Sequence, residues 1–329
     1  MRISRRELSL FLGSAIGGAA AGLHVLPSFA AEDYPARPVA IVVSFAPGGM
    51  TDTVARLLGT DLAKALGQPF VVENRAGAAG QVGTEYVARK PPDGYTLLVS
   101  ATGHVIGPAV QKVNYDPVSD FAVLAILARA PNLLLVHKSV PVSTVPEFLA
   151  WMKAEGEVPY ASAGAGGSTH LAGELLRTMS GGGLVHVPYK GAAPAINDLA
   201  AGHVKMAFQD SMSVAAFIAS GDVKPIAVTT LDRSPLFPDL PTLNESGFPG
   251  FDLYTWLGFY APKGTPSDIV QLLNREANRI THQPSTLEWL HKMNCEPAPA
   301  FDPQEAAAFV ADEVKKWAGV VKTSGVKVQ

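Results

Sequence analysis

Val39–Phe45 reads VAIVVSF and runs directly into Ala46-Pro47-Gly48-Gly49-Met50-Thr51-Asp52. A near-continuous apolar run closed by Pro and Gly is the pattern of a strand covered on both faces, as in parallel sheets. Thr53–Leu66 follows with Val54, Leu57, Leu58, Leu62, Ala65 and Leu66 at helical spacing, and Gly67 stands where a C-cap glycine would end the helix. These residues open an α/β unit.

Similar units repeat outward from this one. Phe70–Glu73 predicts a strand, Gly83–Arg89 a short helix ended by Pro91-Pro92, and Tyr95–Ser100 a third strand. A β-α-β-α-β series implies parallel strands with right-handed crossovers. After Pro131 a second series predicts strands over Leu133–Val136, Val158–Ala161, Val185–Pro188, Val204–Phe208 and Ile226–Thr229. Helices are predicted over Val145–Lys153, Leu171–Met179, Ala192–Ala201 and Val214–Ala219. Leu231–Gly250 is punctuated by Pro and Gly and reads as a surface loop. Leu257–Ala261 returns to strand character, and Pro266–Ile280 and Pro303–Val321 are amphipathic. The expected fold class is α/β, with two mostly parallel sheets, helices on both faces and a ligand cleft between two lobes. Residues 31–130 with 257–329 form the expected first lobe, and 131–256 the second. In such folds ligands sit at the C-terminal ends of the strands.

Two strand-to-helix loops carry the chemical signal. In the first, Gly48 and Gly49 let the backbone approach a ligand, and the helix behind aims free N–H groups and its positive dipole end at the loop. That is an anion site built without Lys or Arg. A plain tight turn capped by Thr51 or Asp52 is the other reading. The second loop is Ala161-Ser162-Ala163-Gly164-Ala165-Gly166-Gly167-Ser168-Thr169-His170, where Ser162, Ser168 and Thr169 add hydroxyl donors. It suits a carboxylate. No phosphate-binding G-x-x-x-x-G-K-[ST] occurs, and Gly164-Ala165-Gly166 lacks the third glycine of a dinucleotide fingerprint. Gly77-Ala78-Ala79-Gly80-Gln81-Val82-Gly83, after Glu73-Asn74-Arg75, reads as structural before it reads as ligand-contacting.

Catalytic and metal readings fare poorly. Seven histidines follow the leader: His104, His137, His170, His186, His203, His282 and His291. No two stand at i, i+2 or i, i+4, and H-E-x-x-H is absent, so no metal site and no cofactor is expected. Gly166-Gly167-Ser168-Thr169-His170 misses the last glycine of G-x-S-x-G. The chain has 329 residues, 26 Lys+Arg, 29 Asp+Glu, a net charge of −3 and 47% hydrophobic residues. That composition excludes a largely disordered chain, and the near-neutral charge argues against a nucleic-acid partner. The single cysteine, Cys295, makes no internal disulfide and no all-cysteine metal site.

Residues 1–30 read as an export signal: Arg2, Arg5 and Arg6, an apolar stretch from Leu8 to about Leu26, then Ser28-Phe29-Ala30 with cleavage after Ala30. Ser4-Arg5-Arg6-Glu7-Leu8 also resembles a twin-arginine signal. Removing three basic residues and one acid from 26 and 29 leaves 23 and 28, a net charge of −5. The expected compartment is the periplasm of a two-membrane bacterium.

Short tags spread over the mature chain carry a resemblance. They are Tyr34-Pro35 with Arg37-Pro38, Phe45-Ala46-Pro47-Gly48-Gly49 with Asp52, and Glu73-Asn74-Arg75 with Gly77, Gly80 and Gly83. Asp93-Gly94-Tyr95-Thr96-Leu97-Leu98 and Ser168-Thr169-His170-Leu171 follow. Pro188-Tyr189-Lys190-Gly191 with Pro194 and Asp198-Leu199, and Phe237-Pro238-Asp239-Leu240-Pro241-Thr242, complete the set. In this order they resemble the substrate-binding proteins of tripartite tricarboxylate transporters, the Bug receptor family.

The resemblance implies a two-lobed periplasmic-binding-protein fold that closes on a carboxylate, held by backbone amides and hydroxyls and often by ordered water. By position, Phe45, Pro47, Gly48, Gly49, Thr51 and Asp52 would line one side, and Ser162, Ala163, Gly166, Ser168, Thr169 and His170 the other. Ala101, Thr102, Gln209 and Asp210 would stand at strand ends facing the cleft, with Met50 and Gln209 tuning ligand choice. Lys190 reads either as the partner of a second ligand carboxylate or as a solvated surface lysine. The resemblance implies a monomeric receptor that performs no chemistry and hands a small organic carboxylate to membrane permease subunits. The family covers tricarboxylates, dicarboxylates, acidic amino acids and aromatic carboxylates. The rivals are an exported hydrolase using Ser168 or Ser162 with His170, and a carboxylate receptor that signals through a sensor.

Overall fold

The computed structural model describes residues 34–324. The export signal read over residues 1–30, with its cleavage after Ala30, lies outside the described residues. The first unit forms as its pattern dictates. β1 (Val39–Val43) is buried at four of its five positions, and α1 (Met50–Leu66) ends on Gly67, whose φ of 72° lets its N–H reach Ala63 O at 3.1 Å. β2 (Phe70–Asn74), α2 (Gln81–Ala88), β3 (Thr96–Ala101) and α3 (Gly103–Val110) complete the first series.

Next comes β4 (Phe121–His137), followed by α4 (Val145–Glu155), β5 (Glu157–Ser162), α5 (Ser168–Ser180), β6 (Gly183–Pro188) and α6 (Ala192–Ala200). β7 (Met206–Asp210), α7 (Ser211–Ala219), β8 (Val223–Val228) and β9 (Tyr254–Pro262) lead to α8 (Ser267–His282), α9 (Pro284–Lys292), β10 (Glu296–Pro297) and α10 (Pro303–Ser324).

The strands form one mixed sheet in the order β2-β1-β3-β9-β4-β7-β5-β6, with β8 and β10 also paired to β4. Two parallel trios flank it: β2-β1-β3 and β7-β5-β6. The middle is antiparallel, because β9 and β4 run against their neighbours. The α/β class holds, but the sheet is more mixed than a βαβ reading suggests. The cause is β4. The sequence predicts a short strand over Leu133–Val136, whereas β4 has 17 residues and crosses Pro131. Its first part pairs with β9 as far as Pro131, and its second part pairs with β7 and β8 from Asn132 and Leu133 onward. A residue with no N–H is tolerated where the ladder changes partners.

Two helices escape the sequence pattern. α3 contains Gly103, Gly107 and Pro108, all poor helix formers, and is held by burial of Val105 and Ile106. α9 begins on Pro284, a favoured first helical residue. α10 packs back on α3 and β4, and its buried Glu313 carboxylate accepts from Trp256 Nε1 of β9 (2.8 Å) and from Trp317 Nε1 of α10 itself (3.0 Å). Among the described residues no helix is long and apolar enough to cross a membrane.

Candidate functional site

Five helices begin at one cavity. Gly49, Met50 and Thr51 bring the start of α1, Gly103 that of α3, and Gly167, Ser168 and Thr169 that of α5. Ala192 brings the start of α6 and Asp210 the cap of α7. Phe45, Ala79, Ala101, Ala163 and Thr255 complete the wall, around about 450 Å³ of empty volume that includes open solvent at the mouth. Gly49 and Gly167 are N-caps in extended conformation without a side chain over the helix end. The first intrahelical acceptances come from Thr53 N to Gly49 O and Leu171 N to Gly167 O. The amides of Thr51, Asp52, Ser168, Thr169 and His170 therefore have no intrahelical acceptor. Each helix start carries roughly half a positive charge. The lining contains no Lys, Arg or His, and its one acidic side chain is Asp210, whose carboxyl burial pushes above its ordinary value against the hydrogen bonds from Ser213.

The loop before α1 is braced from outside the cavity. Asp52 accepts from Gly48 N (3.0 Å), Arg56 Nε (3.0 Å) and Asn74 Nδ2 (2.8 Å), and Asn74 Nδ2 also donates to Phe45 O at 3.0 Å. Burial pushes the Asp52 carboxyl up, but the hydrogen bonds from Arg56, Asn74 and the Gly48 amide outweigh it and hold the group below its ordinary value. Asp52 is a loop brace, and Asn74 gives the Glu73-Asn74-Arg75 tag a physical role. Gly83 is required by close approach: a Cβ there would lie 2.8 Å from Ser44 Cα.

The loop before α5 is braced in the same manner. Thr169 Oγ1 accepts from Ala163 N (3.0 Å), Ser162 Oγ from Gly164 N (3.1 Å) and His170 Nδ1 from Gly166 N (3.0 Å). His170 stacks on His186 at 3.7 Å between ring centroids, and burial lowers its pKa to about 4. His186, lowered to about 3 by burial and by His170, lies 2.6 Å through Nε2 from Ser162 Oγ. Ser168 Oγ is bonded to Thr255 Oγ1 at 2.9 Å instead of to His170. The Ser168–His170 pair of the hydrolase reading is therefore not assembled.

Of the residues singled out in the sequence, Phe45, Gly49, Met50, Thr51, Ala101, Ala163, Ser168, Thr169 and Asp210 line the cavity. Asp52, Ser162, Gly166 and His170 hold the loops in shape. Pro47 and Gly48 are exposed and lie outside the lining. Thr102 is fully buried, with Oγ1 unpartnered. Gln209 is fully buried with neither amide atom partnered, and strand alternation puts it on the sheet face opposite Asp210. Lys190 is exposed and lies outside the lining, but its carbonyl accepts from Ala46 N at 3.1 Å. Among the described residues no group of three or more His, Cys, Asp or Glu could hold a metal.

Five lining residues escaped the sequence reading: Ala79, Gly103, Gly167, Ala192 and Thr255. Ala79 sits in the glycine cluster read as structural and holds φ 51°, a left-handed conformation unusual for Ala. Gly167 and Ala192 were within sight, since each follows a glycine next to a predicted helix. Nothing local marks Thr255.

The comparisons with known proteins agree with this geometry. Residues 54–326 match the Tripartite tricarboxylate transporter family receptor. Protein BugT of Bordetella pertussis is 36% identical over 303 residues, 91% of this chain and 93% of that protein. The structure of the periplasmic binding protein BugD has a TM-score of 0.86 at 37% identity, covering 90% of this chain and 100% of that one. The structure of R. palustris Rpa4515 with adipate also scores 0.86 at 37% identity, with 90% and 99% covered. Family and fold alike are those of periplasmic binding receptors, not enzymes. The chain belongs to the tripartite tricarboxylate transporter receptor family.

Proposed function

We propose that this protein is a periplasmic receptor that captures a small organic carboxylate and delivers it, as a monomer, to the membrane permease subunits of a tripartite transporter. One observation carries the reading: five helix N-termini converge on a cavity whose lining holds no cationic side chain. Such an arrangement stabilises an anion through backbone amides and dipoles. Adipate in the R. palustris relative is a ligand of the same class. Residues 31–130 with 257–329 act as one lobe and 131–256 as the other. Closure is supported by Ala46 N donating to Lys190 O and by Gln111 Nε2 donating to Ala165 O at 3.4 Å, contacts that join the two.

The test is a thermal-shift and calorimetric screen of residues 31–329 against citrate, succinate, adipate, glutamate, nicotinate, benzoate and terephthalate, with sugars and phosphate as controls. A ligand at a hundred times its Kd stabilises by about 2.7 kcal/mol. The reading expects stabilisation by carboxylates alone. Stabilisation by a sugar or phosphate with none by any carboxylate overturns it. Gly49→Leu should abolish binding with the fold intact, because a Cβ at Gly49 already lies 3.5 Å from Ala192 Cβ across the cavity.

A further inference from the structure

We propose that His186, acting through Ser162, is a positioning residue for the loop before α5, and that together with His170 it makes lobe closure sensitive to protons. This rests on the carboxylate reading above and adds a regulation to it: affinity falls in acid.

Two imidazole rings hold the segment from Ser162 to His170 in shape. Gly164 N donates to Ser162 Oγ at 3.1 Å, and Ser162 Oγ lies 2.6 Å from His186 Nε2. Ser162 is fully buried, so its hydroxyl hydrogen needs an acceptor, and Nε2 of a neutral His186 supplies it. His186 then carries its proton on Nδ1. His170 has the opposite arrangement, because its Nδ1 accepts from Gly166 N at 3.0 Å and the proton is left to Nε2. The two amides held in this way belong to glycines at φ 139° and φ 88°, conformations that glycine alone adopts readily.

The same loop is where residues 131–256 meet residues 31–130. A Cβ at Gly164 would lie 2.9 Å from Ala79 N, and one at Gly166 would lie 2.9 Å from Gln111 Nε2, which also donates to Ala165 O at 3.4 Å. The loop fits the opposite lobe in the shape that two neutral rings give it. A proton on His170 Nδ1 sets donor against donor at Gly166 N, and one on His186 Nε2 leaves the Ser162 hydroxyl without its acceptor. The rings stack at 3.7 Å between centroids, so charge on one opposes charge on the other and the pair titrates as a unit. The titratable groups around them are engaged elsewhere. Glu174 of α5 accepts from Tyr160 of β5 at 3.0 Å and pairs with Arg177 at 2.7 Å, and the Tyr160 ring lies 5.1 Å from that of His186. Val110 and Gln111, at the end of α3, bring no charge to the loop. Burial lowers His170 to about 4, and burial together with His170 lowers His186 to about 3, against an upward pull from Glu174. Parting the lobes admits water to the loop and returns the rings toward their ordinary value of about 6.5. The open form thus binds protons that the closed form excludes, so affinity is full above about pH 6.5 and falls as the pH drops toward about 4.

The test has two arms, both on residues 31–329. Nitrogen-15 NMR of the histidine-labelled protein at pH 7.5 should show the His186 proton on Nδ1 and the His170 proton on Nε2. The same tautomer on both rings, or a charged ring, overturns the proposal without reference to any ligand. Calorimetry then takes each carboxylate of the panel above that binds at pH 7.5 and repeats the measurement at pH 5.5. One ring moving from about 6.5 in the open form to about 4 in the closed form raises Kd by up to about ten-fold over that interval, in addition to the ligand's own titration. In the double variant His170→Asn with His186→Gln, the side chains keep acceptors but do not titrate, and the rise should be smaller by about three-fold or more, with circular dichroism melts verifying the fold. At pH 7.5 His186→Ala should bind more weakly than His186→Gln, which restores an acceptor for Ser162. A merely structural role would lower affinity equally at both pH values and leave the ratio unchanged. An unchanged ratio overturns the proposal and leaves the receptor reading standing. Absence of binding by every carboxylate removes both.

Discussion

The backbone amide of Met50 donates to Ser213 Oγ at 2.9 Å across 163 residues of sequence. Ser213 passes the interaction to Asp210 Oδ2 at 2.9 Å. The first turn of α1 is thereby fastened to the first turn of α7, on the far side of the cavity. Two helix starts that would repel as like dipole ends are joined by a hydroxyl and a carboxylate between them.

Ser213→Ala removes this bridge. The expected effect is a three- to ten-fold rise in Kd for whichever carboxylate gives the largest thermal shift, the equivalent of about 0.5–1.5 kcal/mol for one hydrogen bond. Calorimetry measures it directly, and an unchanged Kd would show that the bridge plays no part in closure.

Asp52→Ala should lower stability by about 1–3 kcal/mol, because it removes one of the two acceptors of Asn74 Nδ2 and the side-chain acceptor of the Gly48 amide, and leaves Arg56 without its anion. Urea unfolding reads the loss. A variant as stable as the wild type would mean that the brace is dispensable.

Stability should fall between pH 6.5 and about 4. The buried His170 resists protonation until about pH 4, whereas in the unfolded chain it takes up a proton near 6.5. The unfolded state therefore binds more protons in that window, and stability drops as pH falls through it by roughly 3 kcal/mol from this group. His170→Asn retains an acceptor for Gly166 N but has no imidazole to titrate. Urea midpoints at pH 7 and pH 4.5 should differ less in the variant, and identical differences would refute the assignment to His170.

Cys295 should be inert in the folded protein. Its side chain is buried, Sγ donates to Arg129 O at 3.2 Å, and burial pushes the thiol pKa far up. A thiol reagent should modify the one cysteine only after unfolding. Rapid labelling of the native protein would contradict the packing described.

Part of this molecule is written locally. Val39–Val43 and Leu97–Leu98 are apolar because both sheet faces are covered, and α1 stops at Gly67 because glycine accepts the left-handed cap. The two glycine loops and the absence of a cation near them are equally plain in the residue order. Those features point to the α/β class and to the two loops, and the resemblance carried by the short tags supplied the family and named nine residues that line the cavity. The tertiary structure decided what depends on partners far away in the chain. Strand direction in the middle of the sheet is set by which neighbour β4 meets on each side of Pro131, and pairing is not a property of either strand alone. Thr255 enters the site only because its hydroxyl meets Ser168, 87 residues away, and Asn132, 123 residues away. Ala79 takes its left-handed backbone from its surroundings, against the preference of its own side chain. Local sequence sets which conformations a segment prefers, but the cavity is assembled from hydrogen bonds whose two ends come together only when the sheet closes around them.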